Sequence, residues 1–294
     1  MKLMRTTLLL AAVTAFFLTS CDTVRYAYSP NAHNVPVLAK QGDSKLSASY
    51  STNFDVNTSE DNTRFDHKRN KSNGFDVQGA AAVTNHLAVQ ANYFSRNEKG
   101  YTGSSSGDSS VVRYKRNMFE FGAGYFTSIS KRDKVYFQVF AGAGFGKLNL
   151  KDAGNDFGGT IYSRFYDANY NKYYLEPAII FRNKDLFAAS LSTRLSLIKF
   201  RNIHTDYTKD ERIDYKLDSL DHYNTVFLEP AVVNSFGFKK LPGIKIEYQF
   251  GLSLALDPNT DGQLLDYRPF NFSIGLTFDI GKIIRGAASK NPDK

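Results

Sequence analysis

From Lys45 onward apolar and polar residues alternate with a period of two, the spacing of a strand whose two faces meet different surroundings. The clearest instance sets Ile244, Ile246, Tyr248, Phe250, Leu252, Leu254 and Leu256 against Lys245, Glu247, Gln249, Gly251, Ser253 and Ala255. The last one sets Phe270, Phe272, Ile274, Leu276, Phe278 and Ile280 against Asn271, Ser273, Gly275, Thr277 and Asp279. The spacing predicts ten strands, over 45–54, 74–83, 86–96, 112–129, 134–150, 160–182, 185–203, 223–238, 243–256 and 268–281. Many are about twice the five or six residues usual in a soluble sheet. They suffice for the roughly 9–11 residues with which a tilted strand crosses a bilayer.

The connections alternate in length. Short turns fall at Thr84-Asn85, Lys131–Asp133, Asn183-Lys184 and Lys239–Pro242, and longer polar loops at 55–73, 97–111, 151–159, 204–222 and 257–267. Long loops outside and short turns inside are the habit of outer-membrane barrels, and an even strand count returns both ends to the periplasm. The expected fold is therefore all-β: an antiparallel transmembrane up-and-down β-barrel of about ten strands, over residues 44–281, with periplasmic termini. A soluble sandwich or lipocalin-like barrel also alternates, but its apolar face points inward and its strands are shorter. Strand length and loop alternation favour the membrane barrel.

The polar face then lines a lumen. Lys45, Asp76, Glu120, Glu176, Arg194, Glu229, Lys245, Glu247 and Asp279 fall on it, and are expected to form a structural charge network, since an unpaired charge in a narrow lumen is costly. Gly122, Gly124, Gly142, Gly144 and Gly146 share that face, leaving space for a large neighbour or for sharp curvature. Two segments repeat, Leu175-Glu176-Pro177-Ala178 and Leu228-Glu229-Pro230-Ala231. Each turns Glu inward and Pro outward, and a bulge or a shared kink is expected where Pro withholds a ladder donor.

The N-terminus reads as an address. Lys2 and Arg5 precede an apolar run from Leu8 to Leu18, too short to span a membrane. The run ends in Leu18-Thr19-Ser20-Cys21, which resembles a bacterial lipobox, and Cys21 is the one cysteine of the chain. Residues 1–20 are thus expected to be a lipoprotein signal peptide and Cys21 the lipidation site. Residues 21–43, with Pro30, Pro36 and no periodicity, read as an extended lipidated tether, and 282–294 as a periplasmic tail. The expected location is the outer membrane, anchored at Cys21 with the N-terminus in the periplasm.

Composition agrees. Mean hydropathy is −0.38, aromatics make up 14% with 24 Phe, 18 Tyr and no Trp, and there are 21 Gly. No apolar run reaches the ~20 residues of a membrane helix, and the chain is too aromatic for disorder. Loss of Lys2 and Arg5 lowers the formal charge of +8 by two. The remaining basic residues are scattered, so anionic lipid headgroups are a better partner than nucleic acid. Arg96, Arg113, Lys115, Arg116, Lys147, Lys151, Arg164, Lys199 and Arg201 fall where strands meet long loops. Arg113, Lys115, Arg116, Lys147 and Arg201 are the expected outer-rim lipid contacts, with lipopolysaccharide among the candidate lipids.

Tyr28-Ser29-Pro30-Asn31-Ala32-His33-Asn34-Val35-Pro36-Val37-Leu38, Gly42-Asp43 and Ala80-Ala81-Ala82-Val83-Thr84-Asn85-His86-Leu87-Ala88-Val89 resemble uncharacterised outer-membrane β-barrel lipoproteins of the Bacteroidota. The resemblance covers about the first third of the chain. It implies location and fold, and transfers no functional residue.

Candidate chemistry is thin. Ala141-Gly142-Ala143-Gly144-Phe145-Gly146-Lys147 superficially suggests a nucleotide loop, but Leu148-Asn149-Leu150 continues a strand where a phosphate cradle needs a helix N-terminus. The paired Glu176 and Glu229 could do acid–base work; ion pairing with Arg194, Lys45 or Lys245 is the simpler role. Loop 204–222 offers His204, Asp206, Asp210, Asp214, Asp218, Asp221 and His222, without the order of an omptin protease or a Ser–His–acid set. Asp152, Asn155 and Asp156 lack a recognised Ca²⁺ spacing. No catalytic residue, metal site or cofactor is expected. The expected role is structural or accessory, as loop display or as a subunit of an envelope complex. A narrow pore and an enzyme acting on lipid or peptide are the alternatives.

Overall fold

The computed structural model describes residues 25–54, 71–103, 109–155, 159–183, 186–218, 220–256 and 265–283. Cys21 and the expected signal peptide, residues 1–20, lie outside the described residues. Eleven strand segments run β1 Ser44–Phe54, β2 Lys71–Ala82, β3 Leu87–Gly103, β4 Ser109–Ser128, β5 Val135–Asn155, β6 Ile161–Asn183, β7 Phe187–Thr205, β8 Asn224–Phe238, β9 Leu241–Leu252, β10 Leu254–Ala255 and β11 Phe270–Phe278. β9 and β10 are one stave interrupted at Ser253, so the staves number ten. Each pairs antiparallel with its neighbours in sequence, and β11 pairs with β1 from Leu46↔Phe278 to Phe54↔Phe270, closing the ring.

Period-two alternation becomes an inside and an outside. On the β9–β10 stave Ile246, Tyr248, Phe250, Leu254 and Leu256 are exposed, while Lys245, Gln249 and Ser253 are buried. Twelve steps of about 3.3 Å from Ile244 to Leu256, tilted by roughly 40°, give an apolar band of about 30 Å, the thickness of a hydrocarbon core. Phe75, Phe119, Phe121, Phe145, Leu175, Phe181 and Leu191 carry the band around the ring.

The staves extend the expected strands mainly toward the long loops. β3 and β4 continue as a hairpin through Lys99↔Arg113 to Gly103↔Ser109, inside the segment expected to be loop 97–111. Loop 204–222 holds a short helix, α1 Lys209–Asp214, with a capping box in which Thr208 and Glu211 satisfy each other's backbone N–H. Tyr207, Leu217 and Leu220 turn this loop inward onto the apolar end of the lumen.

The Pro repeat produces neither bulge nor register change. At Glu176-Pro177 the β6–β7 ladder pauses between Leu175↔Leu195 and Ala178↔Ser192 and resumes in register. At Glu229-Pro230 pairing pauses between Leu228↔Leu254 and Ala231↔Gly251, where Ser253 interrupts the facing stave. Ser253 turns its N–H to Pro269 O at 2.7 Å and its hydroxyl to Glu229 Oε1 at 3.1 Å. The shifts of register lie elsewhere, at Asp167/Asn169 and Gly237/Phe238.

The largest departure concerns residues 25–38. The expected tether does not hang beside the barrel; it runs through the lumen. From Ala27 to Leu38, all but Val37 are buried. Arg25 meets the wall at the long-loop mouth, beside Asp152 and Ser110. Leu38 packs at the other mouth with Ala82, Ala88 and Phe126, where Gln41 N also reaches Asn85 at 3.0 Å.

Candidate functional site: a filled lumen

The lumen is layered, and the inserted segment changes chemistry with the layers. Near the long loops an apolar cluster of Phe94, Tyr114, Met118, Leu148, Leu150, Tyr170 and Phe200 surrounds Ala27 and Tyr28, interleaved with buried ion pairs such as Arg25 with Asp152. Tyr28 stacks on Phe227 with centroids 4.6 Å apart. Near the short turns two smaller clusters take Val35, against Tyr136, Ile180 and Val233, and Leu38. The charged layer lies between them, and the segment crosses it with Ser29, Asn31, His33 and Asn34.

Asn31 joins that layer together. Its amide donates to Glu120 Oε2 at 2.8 Å, while its carbonyl accepts from Lys172 at 2.9 Å and from Arg194 at 3.0 Å. Lys172 also lies 3.3 Å from Glu120 and 3.5 Å from Glu229. Arg194 pairs with Glu176 at 2.6 Å. Tyr28 donates to Glu229 at 2.8 Å, and Ser196 donates to its other oxygen at 2.6 Å. Toward β1–β4, Asp76 accepts from Arg96 at 2.7 Å and from Ala32 N at 3.3 Å. Gln249 accepts from His33 N at 2.9 Å, and Asn92 accepts from Asn34 at 2.8 Å. A buried charge is tolerated only when paired and hydrogen-bonded; much of that satisfaction comes from the inserted segment.

Placement follows the expectation for some residues and corrects it for others. Asp76, Glu120, Glu176, Arg194 and Glu229 all face this layer. Glu229 takes Lys172, which the sequence reading did not single out although it shares parity with Glu176. Lys45 pairs with Glu247 at 2.8 Å nearer the short-turn mouth, beside Lys245 and a cavity of about 30 Å³, room for a water molecule and not for a solute. Asp279 does not join the network. Its carboxylate accepts from Lys282 N at 3.0 Å, closing a helical turn, and lies 3.3 Å from the Lys282 ammonium.

On the rim, Arg113, Lys115, Lys147 and Arg201 point outward. Arg116 does not. It is buried in the lumen, paired with Glu98 and bonded to Tyr26 O, because it shares the parity of Met118 and Glu120 rather than of Lys115. Arg96 is inward for the same reason. The glycines make room as expected: a Cβ on Gly142 would come within 2.6 Å of the Tyr174 ring, and the rings of Tyr170 and Phe140 occupy the space at Gly146 and Gly124.

Two acids of loop 204–222 are engaged by arginines. Asp218 pairs with Arg212 at 3.0 Å, Glu211 with Arg164 at 3.2 Å, and His222 lies 3.7 Å from its neighbour Asp221. Among the described residues no His/Cys/Asp/Glu group has the geometry of a metal site.

No family model and no curated protein sequence matches this chain. Solved barrels match in shape at low identity. The translocator domain of the autotransporter NalP from Neisseria meningitidis is 10% identical over 84% of this chain and 89% of that one, with a TM-score of 0.44. The outer membrane protein OprG from Pseudomonas aeruginosa is 8% identical over 83% and 98%, with a TM-score of 0.35. The outer membrane protease OmpT of Escherichia coli is 10% identical over 88% and 100%, with a TM-score of 0.41, and no residue role passes from any of them to this one.

Proposed function

We propose that this protein is an outer-membrane barrel lipoprotein with a structural or accessory role in the envelope, a closed scaffold that displays its long loops or seats them in a larger complex. The carrying observation is the lumen: the chain's own residues 28–34 bridge its charged layer and occupy space that an open pore would leave to a solute. The apolar outer band of membrane thickness supports insertion in a bilayer, and the lipobox-like Leu18–Cys21 supports an added acyl anchor. The engagement of Glu211 and Asp218 in ion pairs with Arg164 and Arg212 speaks for loops that hold shape rather than turn over a substrate.

Conductance decides between scaffold and pore. The purified full-length protein in planar bilayers is expected to show no discrete current steps at potentials where open barrels conduct. Reproducible single-channel openings by the unmodified chain would overturn the scaffold reading.

A further inference from the structure

The direction of residues 25–38 bears on where the lipid sits. Arg25 is held at the long-loop mouth by Asp152 at 2.7 Å, with its guanidinium 4.3 Å over the Tyr215 ring. Ala27 N bonds to Asp266 O at 2.7 Å, and Tyr28 bridges in parallel to Tyr267, both just ahead of β11 on that same side. Leu38 and Gln41 lie at the short-turn mouth. The thirteen peptide units from Arg25 to Leu38 reach about 45 Å at full extension, enough to cross a core of about 30 Å. From Cys21 to Arg25 there are four units, about 14 Å at most. A chain that has reached Arg25 therefore cannot bring Cys21 back to the short-turn mouth.

We propose that the mature N-terminus is threaded through its own barrel, so that the acyl anchor and the short turns lie on opposite faces of the membrane. With the long loops facing outward, the acyl chains of Cys21 enter the outer leaflet and the protein is a surface-anchored lipoprotein. This rests on the membrane-barrel and lipobox readings above. It sets aside an anchor in the inner leaflet, because an inner-leaflet anchor and outward long loops are incompatible with this threading. Withdrawal of the segment is opposed by chemistry as well as length. Arg25 would lose Asp152, and Asn31 would leave Glu120, Lys172 and Arg194 each one bond short inside a low-dielectric lumen.

The test compares sides. A site for a specific protease is inserted in the full chain between Thr23 and Val24, or after Ser105, or between Lys239 and Lys240. Each variant is exposed to the protease on intact and on permeabilised cells. The 23/24 and 105 insertions are expected to share one fate on intact cells and the 239/240 insertion the opposite one, whichever way the barrel sits. Shared fate of 23/24 with 239/240 overturns the threading. A second variant guards against insertions that disturb the mouth: Asn34→Cys with Asn92→Cys, bridged by a short bifunctional thiosulfonate. A bridge that keeps residues 25–40 attached after cleavage at a site introduced at Gln41, and releases them on reduction, supports the threading; no bridge overturns it. Palmitate labelling of the unmodified protein runs in parallel. Absent label with the expected cleavage pattern refutes the lipoprotein reading and leaves the threading standing.

Discussion

Arg194→Met tests whether the lumen is held by paired charge or merely filled. Arg194 is fully buried, and its guanidinium donates to Glu176 at 2.6 Å, to Asn31 at 3.0 Å and to Ala32 O at 3.4 Å. Methionine keeps much of the volume and removes the donors, leaving the buried Glu176 carboxylate without its guanidinium partner and with only the His33 ring, 3.9 Å away, close by. Breaking a buried pair from one side costs about 3–5 kcal/mol, because the abandoned charge stays buried. At about 2–4 °C per kcal/mol for a chain of this size, the unfolding midpoint should fall by roughly 10 °C. Adding Glu176→Gln removes the stranded charge, and the double variant should recover more than half of that loss. The assay is heat-modifiable gel migration with β circular dichroism in one detergent at one scan rate, since barrel unfolding is read as a rate as much as an equilibrium. A single variant within 2 °C of the unmodified protein (roughly a 1 kcal/mol effect), or a double variant no better than the single one, would refute the reasoning.

Cys21→Ser should abolish incorporation of labelled palmitate, and label that survives the substitution would sink the lipidation reading. Gly146→Val places branched carbons where the Tyr170 ring lies, and overpacking of this kind costs about 1–3 kcal/mol or more; the heat-modifiable band should weaken, and recover in part when Tyr170→Ala is added. Thr208→Ala should cost about 1 kcal/mol of local stability at α1, seen as faster proteolysis within 206–218 with the staves intact. At that helix burial works against the Glu211 carboxylate, but the Thr208 backbone N–H and the Arg164 guanidinium outweigh it and hold the group below the usual carboxylate range. A carboxylate so depressed stabilises α1 above its unfolded pKa and loses that contribution as pH falls through the folded one; proteolysis there should quicken in acid, and flat pH dependence would discount the ion pair. Cysteines at Ser105 and Thr208 should share reactivity toward an impermeant maleimide on whole cells, with one at Lys184 protected; the reverse pattern would invert the barrel.

The staves were legible because each has two faces in different media, and a period of two records that directly. Glu120, Glu176 and Arg194 were placed inward by parity alone. The same parity applied to Arg96, Arg116 and Lys172 would have placed them inward too; grouping Arg96 and Arg116 by height along the barrel, as a ring, obscured it. Residues 25–38 were illegible for a different reason. An extended segment enclosed by a barrel meets wall on every side, so Ala27 through Val35 are buried consecutively and no period marks them. Their mixture of Tyr, Ser, Asn, His and Val matches layers made by residues as distant as Glu229 and Gln249, and that complementarity exists only after the ring is closed.

The seam between β1 and β11 carries a consequence for biogenesis. Leu46 pairs with Phe278, among the most sequence-distant contacts in the fold, and such contacts pay the largest loop-closure cost and form late. Until β11 docks, the sheet is an open trough with an unpaired edge on each side, and residues 25–38 can be laid in sideways. Afterwards the wall is continuous, and a terminus acylated at Cys21, as proposed, has no polar route back. Seam formation thus acts as a latch, turning a reversible docking of fourteen residues into a topological capture. On the proposed acylation of Cys21, the order of acylation and barrel closure then fixes which product is made.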